Sequence, residues 1–393
     1  MSDFLELIVS NKIKMSLAEI IFWFSILSIG IVYGGYFLLC QYIVSYRKLD
    51  VRSDPDYEPT ISLIIPTWNE EDTIKGKLEN TLDLEYPKDK LEVLIIDDGS
   101  NDKTVEIVKG FIKNHRNFKL LKLKERRGKA VALNRALRYS NGEIIVITDS
   151  DSRLNKNILN VSIPYFADQR VGALTGRHVV LGDRDSDMSI IEIEYRNLYH
   201  MIRHAESILD STFIFNGPFT AFRKTLISRI HNDSVADDSE IALRVRQKGY
   251  RTIHVDDAIF WEFAASSMQE RTKQKYRRAQ GLIQLFLRFF KVFFFNRNYG
   301  LFGMLIFPIE FFMHVISPFL ILLFFLTFFS LHIHVALILL TALLLLSIMS
   351  KSRYIIITFL HSQYSCLKGL FTYIFRGPSY SWEKIEGTRR YKQ

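Results

Sequence analysis

Residues 143–151 read Glu-Ile-Ile-Val-Ile-Thr-Asp-Ser-Asp, and this stretch decides the fold. Its apolar, β-branched run is typical of a strand that is buried on both faces of a parallel sheet. Two carboxylates, Asp149 and Asp151, follow the run directly. Ligands of open α/β sheets bind outside the carboxyl ends of the strands. The stretch therefore predicts a strand with a ligand site at its end.

The same pattern occurs twice upstream. Apolar runs at 61–65 and 91–96 are each followed by a helical stretch, and the second run ends in Asp97 and Asp98. Strands that alternate with helices predict an α/β domain with a mainly parallel sheet and helices on both faces. Such acids often only cap helices, but a third cluster, at 237–238, favours a shared site.

Membrane-length apolar segments flank this polar middle. Residues 20–44 carry no charge and predict a first span. No Asp, Glu, Lys or Arg lies between Glu310 and Lys351, which predicts a transmembrane hairpin at 300–350. The hairpin would turn near His332 and His334. These histidines are expected in a solvent-exposed turn, and a metal site is the alternative. Basic residues at the ends of the spans predict a cytoplasmic middle and an outside N-terminus.

Two further segments have ambiguous patterns. In 282–299, Gln284, Arg288 and Lys291 recur at helical spacing among apolar residues, which favours an amphipathic helix in the membrane interface over a buried helix. Residues 354–375 could span the membrane or lie in its plane, and the basic tail favours the second. The predicted units are 1–57, the catalytic domain 58–281, the interfacial helix 282–299, the hairpin 300–350, and the tail region 351–393.

Composition narrows the class of partner. The net charge is +9, which fits a nucleic acid, an anionic membrane or a phosphate-bearing substrate. The apolar segments favour the last two. Zinc-knuckle spacing and RNA-binding patterns are absent from the sequence, so nucleic acid is not an expected partner. Cys40 and Cys366 both lie in apolar stretches and are predicted to be packed thiols.

Seven short motifs follow one another along the polar middle of the chain. They are Ile-Ile-Pro-Thr-Trp-Asn-Glu at 64–70, Asp-Asp-Gly-Ser at 97–100, Arg-Gly-Lys-Ala at 127–130, Asp-Ser-Asp at 149–151, Asn-Gly-Pro-Phe-Thr-Ala-Phe-Arg at 216–223, Asp-Asp-Ser-Glu at 237–240 and Gln-Lys-Tyr-Arg-Arg-Ala-Gln-Gly at 274–281. Together they resemble glycosyltransferase family 2, which has the GT-A nucleotide-sugar-binding fold. The membrane layout is further similar to the branch of poly-N-acetylglucosamine, hyaluronan, chitin-oligosaccharide and cellulose synthases. That branch implies a multi-pass plasma membrane enzyme with a cytoplasmic catalytic domain.

The resemblance implies a site for a UDP-sugar donor and a divalent cation. Asp149 and Asp151 would hold Mg²⁺ or Mn²⁺, which prefer hard oxygen ligands. Asp98 would face the nucleotide base. Lys129 lies in a glycine-preceded loop that could approach the diphosphate, although an ordinary exposed lysine is the alternative. The donor-binding residues are Pro66, Asp98, Lys129, Asp149, Gln274 and Arg277.

The resemblance also assigns the acceptor side. Asp238 would be the general base, although an Asp stands at 237 where relatives carry Glu. A helix N-cap is the other role for Asp238, and the two are compatible. A single displacement inverts the anomeric centre and gives a β-linkage. The residues implied to bind the acceptor are Asn216, Gly217, Phe219 and Asp237.

Two acceptor classes remain open. A growing β-linked polysaccharide fits the branch, but three spans are few for an export path, so oligomerisation, an export partner or re-entry of 354–375 would have to complete it. Arg278 stands where the branch has Trp, which favours a lipid acceptor such as a polyprenyl phosphate or a glycolipid. A non-catalytic sugar-binding subunit is disfavoured because all three acidic clusters are retained.

Overall fold

The computed structural model describes residues 15–182, 187–331 and 350–377, together with 387 and 389. These residues form an eight-stranded mixed sheet with the order β3-β2-β1-β4-β7-β6-β8-β5. The strands are β1 (Ile61–Thr67), β2 (Leu91–Asp97), β3 (Phe118–Lys122), β4 (Ile144–Ile147), β5 (Arg153–Leu154), β6 (Val171–Leu181), β7 (Thr220–Arg223) and β8 (Arg251–Phe263).

Helices accompany these strands along the chain. In the described residues they are α1 (Leu17–Tyr46), α2 (Ile74–Leu82), α3 (Thr104–Ile112), α4 (Lys129–Tyr139), α5 (Ile158–Ser162), α6 (Asp187–Leu209), α7 (Asp237–Gln247), α8 (Met268–Phe293), α9 (Phe302–Leu331) and α10 (Ser350–Arg376).

The parallel half of the sheet contains the predicted strands. β1 pairs in parallel with β2 and β4, and β3 extends this half on the far side of β2. Alternate residues of β1 enter opposite cores, with Ile64 on one face and Leu63 and Ile65 on the other. Helices cover both faces, so the continuous apolar runs are explained and the predicted fold class is confirmed.

The other half of the sheet is mixed rather than parallel. β7 runs antiparallel to both β4 and β6, whereas β6 and β8 pair in parallel along most of their length. This half brings the end of β8 beside the end of β4, where the acids at 149–151 lie.

Two helices are long and apolar enough to cross a membrane, α1 near the N-terminus and α9. A short π-helical turn at Gly30–Gly35 interrupts α1. The second arm of the predicted hairpin, with His332 and His334, lies outside the described residues. Residues 354–375 fall within α10.

The segment predicted to lie in the membrane interface belongs to one continuous helix, α8. Gln284 is fully buried and donates to the backbone carbonyl of Asp233, while Arg288 pairs with Asp233 at 2.7 Å. The polar stripe therefore faces the loop before α7. Buried phenylalanines of α8, including Phe286 and Phe293, join the same core as the sheet. The interfacial placement of 282–299 stays a prediction.

Candidate functional site

A cavity of about 250 Å³ opens at the carboxyl edge of the parallel strands. Motifs that are up to about two hundred residues apart meet there because parallel strands end at one edge of the sheet. All the predicted site residues except Phe219 line it: Pro66, Asp98, Lys129, Asp149, Asp151, Asn216, Gly217, Asp237, Asp238, Gln274 and Arg277.

Phe219 is a correction to the acceptor assignment. Its side chain is fully buried in the core on the side of the sheet away from α4. The ring therefore has no route to a sugar in the cavity. Phe215, four residues earlier, does line the cavity.

The turn after β4 presents carboxylates toward the cavity. Asp149 and Asp151 each offer an oxygen, and Glu262 at the end of β8 supplies a third, all within 4.8 Å of one another. Burial, together with the charge of Asp151, raises the pKa of Glu262 to about 7. Such crowded carboxylates are stabilised by a hard divalent cation, so the donor set fits Mg²⁺ or Mn²⁺.

Lys77 stabilises this turn by hydrogen bonds. The side chain is fully buried, and its ammonium donates to Thr148 Oγ1 at 2.6 Å and to the Ser152 carbonyl at 3.1 Å. Burial lowers the pKa of Lys77 to about 7. These bonds hold both ends of the turn that carries Asp149 and Asp151.

The loop before α4 is fixed by Asp98. Its two carboxylate oxygens accept the backbone N–H groups of Arg127 and Gly128, each at 2.8 Å. Gly128 has φ 96°, a conformation that favours glycine, and it directs Lys129 into the first turn of α4. Asp98 therefore positions the lysine loop, besides lining the cavity.

Lys129 bridges two acidic clusters. Its Nζ lies 2.8 Å from Asp149 Oδ1 and 3.2 Å from Asp237 Oδ2. Burial opposes the charged form, but Asp149 and Asp237 raise the pKa of Lys129 overall. The lysine is not an ordinary exposed side chain. It is a buried cation placed between the predicted metal ligands and the predicted acceptor side.

Asp238 lies in the first turn of α7. The helix begins at Asp237, and the preceding residue, Ala236, makes no side-chain cap, so Asp238 is not the N-cap. Burial, and then the neighbouring Asp237 carboxylate, raise the pKa of Asp238 to about 7. A carboxylate tuned near neutral pH is suited to accept a proton.

Close packing explains Asn216 and Gly217. The Asn216 side chain accepts from Arg203 at 3.0 Å and donates to the Gly176 carbonyl at 3.1 Å. A Cβ on Gly217 would lie 2.8 Å from Asp149 Oδ2. The segment thus brings its backbone so close to the acidic turn that any side chain at 217 would displace the Asp149 carboxylate.

A wall of arginines, which the sequence did not predict, closes another side of the cavity. It consists of Arg196 and Arg203 of α6 and Arg278 of α8. Arg196 and Arg278 share one carboxylate, Glu192, which also lies 3.6 Å from Arg271. Arg196, Arg271 and Arg278 thus share this one carboxylate. α6 carries no motif, so its packing against α1, β6 and β8 places these side chains.

The C-terminal tail also reaches the cavity. Arg389 lines it and pairs with Glu70 at 2.6 Å, and lies 3.8 Å from Asp151. Burial raises the pKa of Glu70 even though Arg389 opposes that shift. The sequence predictions used this tail only for its basic charge, and the pairing of Arg389 with Glu70 could not be predicted from either segment.

The structure is similar to one solved glycosyltransferase over nearly the whole chain. Mannosyltransferase PcManGT from Pyrobaculum calidifontis, in complex with GDP-Man and Mn²⁺, superposes with a TM-score of 0.76 at 27% sequence identity. The match covers 90% of this chain and 99% of that one. The sheet and its acid-lined cavity define the class of fold: this chain has the GT-A fold, which that glycosyltransferase shares.

Sequence comparisons name the family. Residues 62–230 match the family model described as Glycosyl transferase family 2, and this part of the chain belongs to that family. Poly-beta-1,6-N-acetyl-D-glucosamine synthase from Staphylococcus epidermidis is 29% identical over 248 residues, which cover 62% of this chain and 60% of the relative. The Staphylococcus aureus (strain MSSA476) synthase is 30% identical over 234 residues, 58% of this chain and 56% of the relative. The chain thus matches about 60% of the length of these curated relatives.

Proposed function

We propose that the protein transfers a sugar from a UDP-sugar onto an acceptor hydroxyl with inversion, and that the acceptor is a growing β-linked polysaccharide. The observation that carries the proposal is the single cavity that joins the carboxylates of Asp149, Asp151 and Glu262 to Asp238. The names of the curated relatives support an N-acetylhexosamine polymer. The solved relative holds GDP-Man instead, so the nucleotide and the sugar of the donor must be determined by experiment.

On the donor side, Asp149, Asp151 and Glu262 would hold the cation. When bound, Mg²⁺ or Mn²⁺ neutralises the charge that develops on the leaving diphosphate. Lys129, at the N-terminus of α4, and Arg277 would bind the phosphate oxygens with cationic donors. Asp98 keeps the lysine loop in place, and the remaining lone pairs of its carboxylate would accept an N–H of the base.

On the acceptor side, Asp238 would act as the general base. The acceptor oxygen attacks the anomeric carbon while the bond from that carbon to the phosphate oxygen breaks. The proton of the hydroxyl passes to the Asp238 carboxylate, and the electron pair of the broken bond leaves with UDP. One displacement inverts the anomeric centre, so an α-linked donor gives a β-linked product.

The membrane arrangement belongs to the same proposal. α1 and α9 would anchor the protein in the plasma membrane with the catalytic domain on the cytoplasmic side. A polymer acceptor would also require an export path, from a homo-oligomer or a partner protein. A cysteine placed at the exposed Lys109 should react with an impermeant thiol reagent only after the cells are opened. External labelling would contradict the orientation.

A direct test uses membranes that contain the protein, Mn²⁺, and a panel of labelled UDP-GlcNAc, UDP-Glc and GDP-Man. We expect incorporation of one UDP-sugar into material that a β-specific glycosidase releases, and its loss on chelation. Incorporation that persists in a variant with Asp151→Asn and Glu262→Gln would contradict the metal assignment. Incorporation only from GDP-Man would contradict the UDP donor.

A second candidate acceptor is a lipid phosphate, and the arginine wall favours it. Arg203 donates to the neutral amide of Asn216, and its Nε has no hydrogen-bond partner among the described residues, although the side chain is buried. Uncompensated buried cations are costly, which an anionic ligand would relieve. α6 also packs against α1, with Tyr36 donating to Glu206, so the wall adjoins a candidate membrane helix.

The two acceptors are distinguished by product extraction. Counts that partition into chloroform and methanol and are released by mild acid indicate a lipid phosphate, whereas polymer stays in the aqueous residue. If the lipid phosphate is the acceptor, Arg203→Met should raise the KM for the acceptor more than the KM for the donor. An unchanged acceptor KM would show that the arginine wall does not bind the acceptor.

A further inference from the structure

Four potential metal ligands converge between α6 and β8. His200 and His204 lie one helical turn apart on α6, and His254 and Asp256 are alternate residues of β8. Residues spaced by four on a helix, or by two on a strand, project from the same face. The His200 and His254 rings are therefore turned toward each other, and their Nδ1 and Nε2 atoms lie 2.9 Å apart.

The carboxylate of Asp256 joins this group. Its Oδ1 lies 3.0 Å from His204 Nδ1, 3.5 Å from His254 Nε2 and 3.8 Å from His200 Nε2. In a tetrahedral zinc site with bonds of about 2.0–2.1 Å, neighbouring ligand atoms are roughly 3.4 Å apart. One ligand atom each of His200, His254 and Asp256 lies within 4.8 Å of the other two, so small side-chain rotations would bring these three around one ion. His204 adjoins them as a fourth ligand through the same Asp256 oxygen.

The polar atoms of this group are incompletely satisfied by the protein. Asp256 Oδ1 and His204 Nδ1 are buried and make no well-directed hydrogen bond within the described residues. A bound cation would satisfy buried polar atoms of this kind.

The group is distinct from the candidate active site. Its four side chains are absent from the lining of the catalytic cavity among the residues that the structure describes. The ligand types also differ, because the predicted metal cluster of the cavity consists of the carboxylates of Asp149, Asp151 and Glu262, whereas this group offers three imidazoles and one carboxylate. Imidazole nitrogens select borderline cations such as Zn²⁺, whereas carboxylates select Mg²⁺ and Mn²⁺.

We propose that His200, His204, His254 and Asp256 form a second metal site, which takes Zn²⁺ or a similar borderline cation. The bound ion would fix α6 against β8. α6 carries Arg196 and Arg203 of the arginine wall, so the ion would hold that wall in position without contacting the substrate. Arg177 and Arg203 lie close enough to lower the pKa values of the histidines. Their charge should make the affinity lower than that of a site without cationic neighbours.

The test uses the full-length protein in detergent, stripped of metal by a chelator and then saturated with Mn²⁺ to fill the carboxylate site. We expect one further equivalent of Zn²⁺ to bind and to raise the Tm. Co²⁺ in place of Zn²⁺ should give the intense visible absorption of a tetrahedral site with nitrogen ligands. This absorption is independent of enzymatic activity.

Variants locate the ion. In His200→Gln combined with His204→Gln, both partly exposed positions, the Kd for Zn²⁺ should rise at least tenfold and the Co²⁺ absorption should be lost. His115→Gln, on the far edge of the sheet, is the matched control and should behave as wild type. Asp151→Asn should weaken Mn²⁺ binding and leave the second Zn²⁺ in place. Zn²⁺ binding that is unchanged in the double variant, or a wild-type Co²⁺ spectrum typical of an octahedral site, would overturn the proposal.

Discussion

The assignment of Asp238 as the general base makes a quantitative prediction for Asp238→Asn. An amide keeps the shape of the side chain but cannot accept the proton of the acceptor hydroxyl. A positioned base contributes about 10²–10⁴-fold to the rate. We therefore expect kcat to fall by that factor, which corresponds to about 3–5 kcal/mol of transition-state stabilisation.

The pKa of Asp238 adds a second, independent signature. With a pKa of about 7, roughly one tenth of the carboxyl groups are ionised at pH 6 and nine tenths at pH 8. Because the base must be ionised, wild-type kcat/KM should rise about tenfold over this interval. The asparagine variant lacks this titrating group. At saturating Mn²⁺, which would keep Glu262 ionised, the rise should therefore disappear from its pH profile.

Stability provides the control for folding. The pKa of Asp238 is raised in the folded state, so its ionisation destabilises the protein as the pH rises from about 4 to above 7. Asp238→Asn should therefore have a Tm at pH 8 that equals or exceeds that of the wild type. Asp257→Asn, an exposed position on β8, should change neither rate nor pH profile. Full activity in Asp238→Asn, or a pH rise that persists in it, would refute the role of this residue.

Three further predictions concern other parts of the site. Glu262→Gln should raise the Mn²⁺ concentration for half-maximal activity more than tenfold, measured by metal titration after chelation, and an unchanged value would limit the metal site to the turn after β4. Gly217→Ala should abolish most activity in a folded protein, because its Cβ would lie 2.8 Å from a carboxylate oxygen. The control Gly110→Ala, a helical position with open space around it, should keep full activity and gain up to about 1 kcal/mol of stability in denaturant unfolding. Arg389→Ala removes the ion pair of the tail with Glu70 and should lower kcat/KM for the donor, which initial rates at limiting donor would show. An unaltered kcat/KM would mean that the tail contact is not functional.

The parallel half of the fold was predictable because its signals are local. β1, β2 and β4 are short apolar runs, and each pattern is complete within a few residues of sequence. The mixed half was not predictable to the same degree. β6 and β8 carry polar residues among the apolar ones, and their pairing is decided by contacts between segments that are far apart in the chain.

The candidate site also contains residues that the sequence could predict and residues that it could not. Asp149, Asp151 and Lys129 lie in motifs and could be named from the sequence. Glu262 could not, because it lies in a long strand and becomes a ligand only where the ends of β8 and β4 meet. Phe219 shows the opposite error: it belongs to a motif, yet its ring, one residue before β7, is buried in the core.

The continuity of α8 determines how the enzyme can be divided. Gln274 and Arg277 lie near its first turns, and Phe286 and Phe293 pack in the shared core near its other end, without a break between them. A cut at residue 281 would sever one helix and leave a phenylalanine-rich surface without its covering. The catalytic half should then aggregate when it is expressed alone. The part that lines the cavity and the apolar part that follows it are not separable at this point, and a chimaera with a relative should be joined elsewhere, before Met268 or after Phe293.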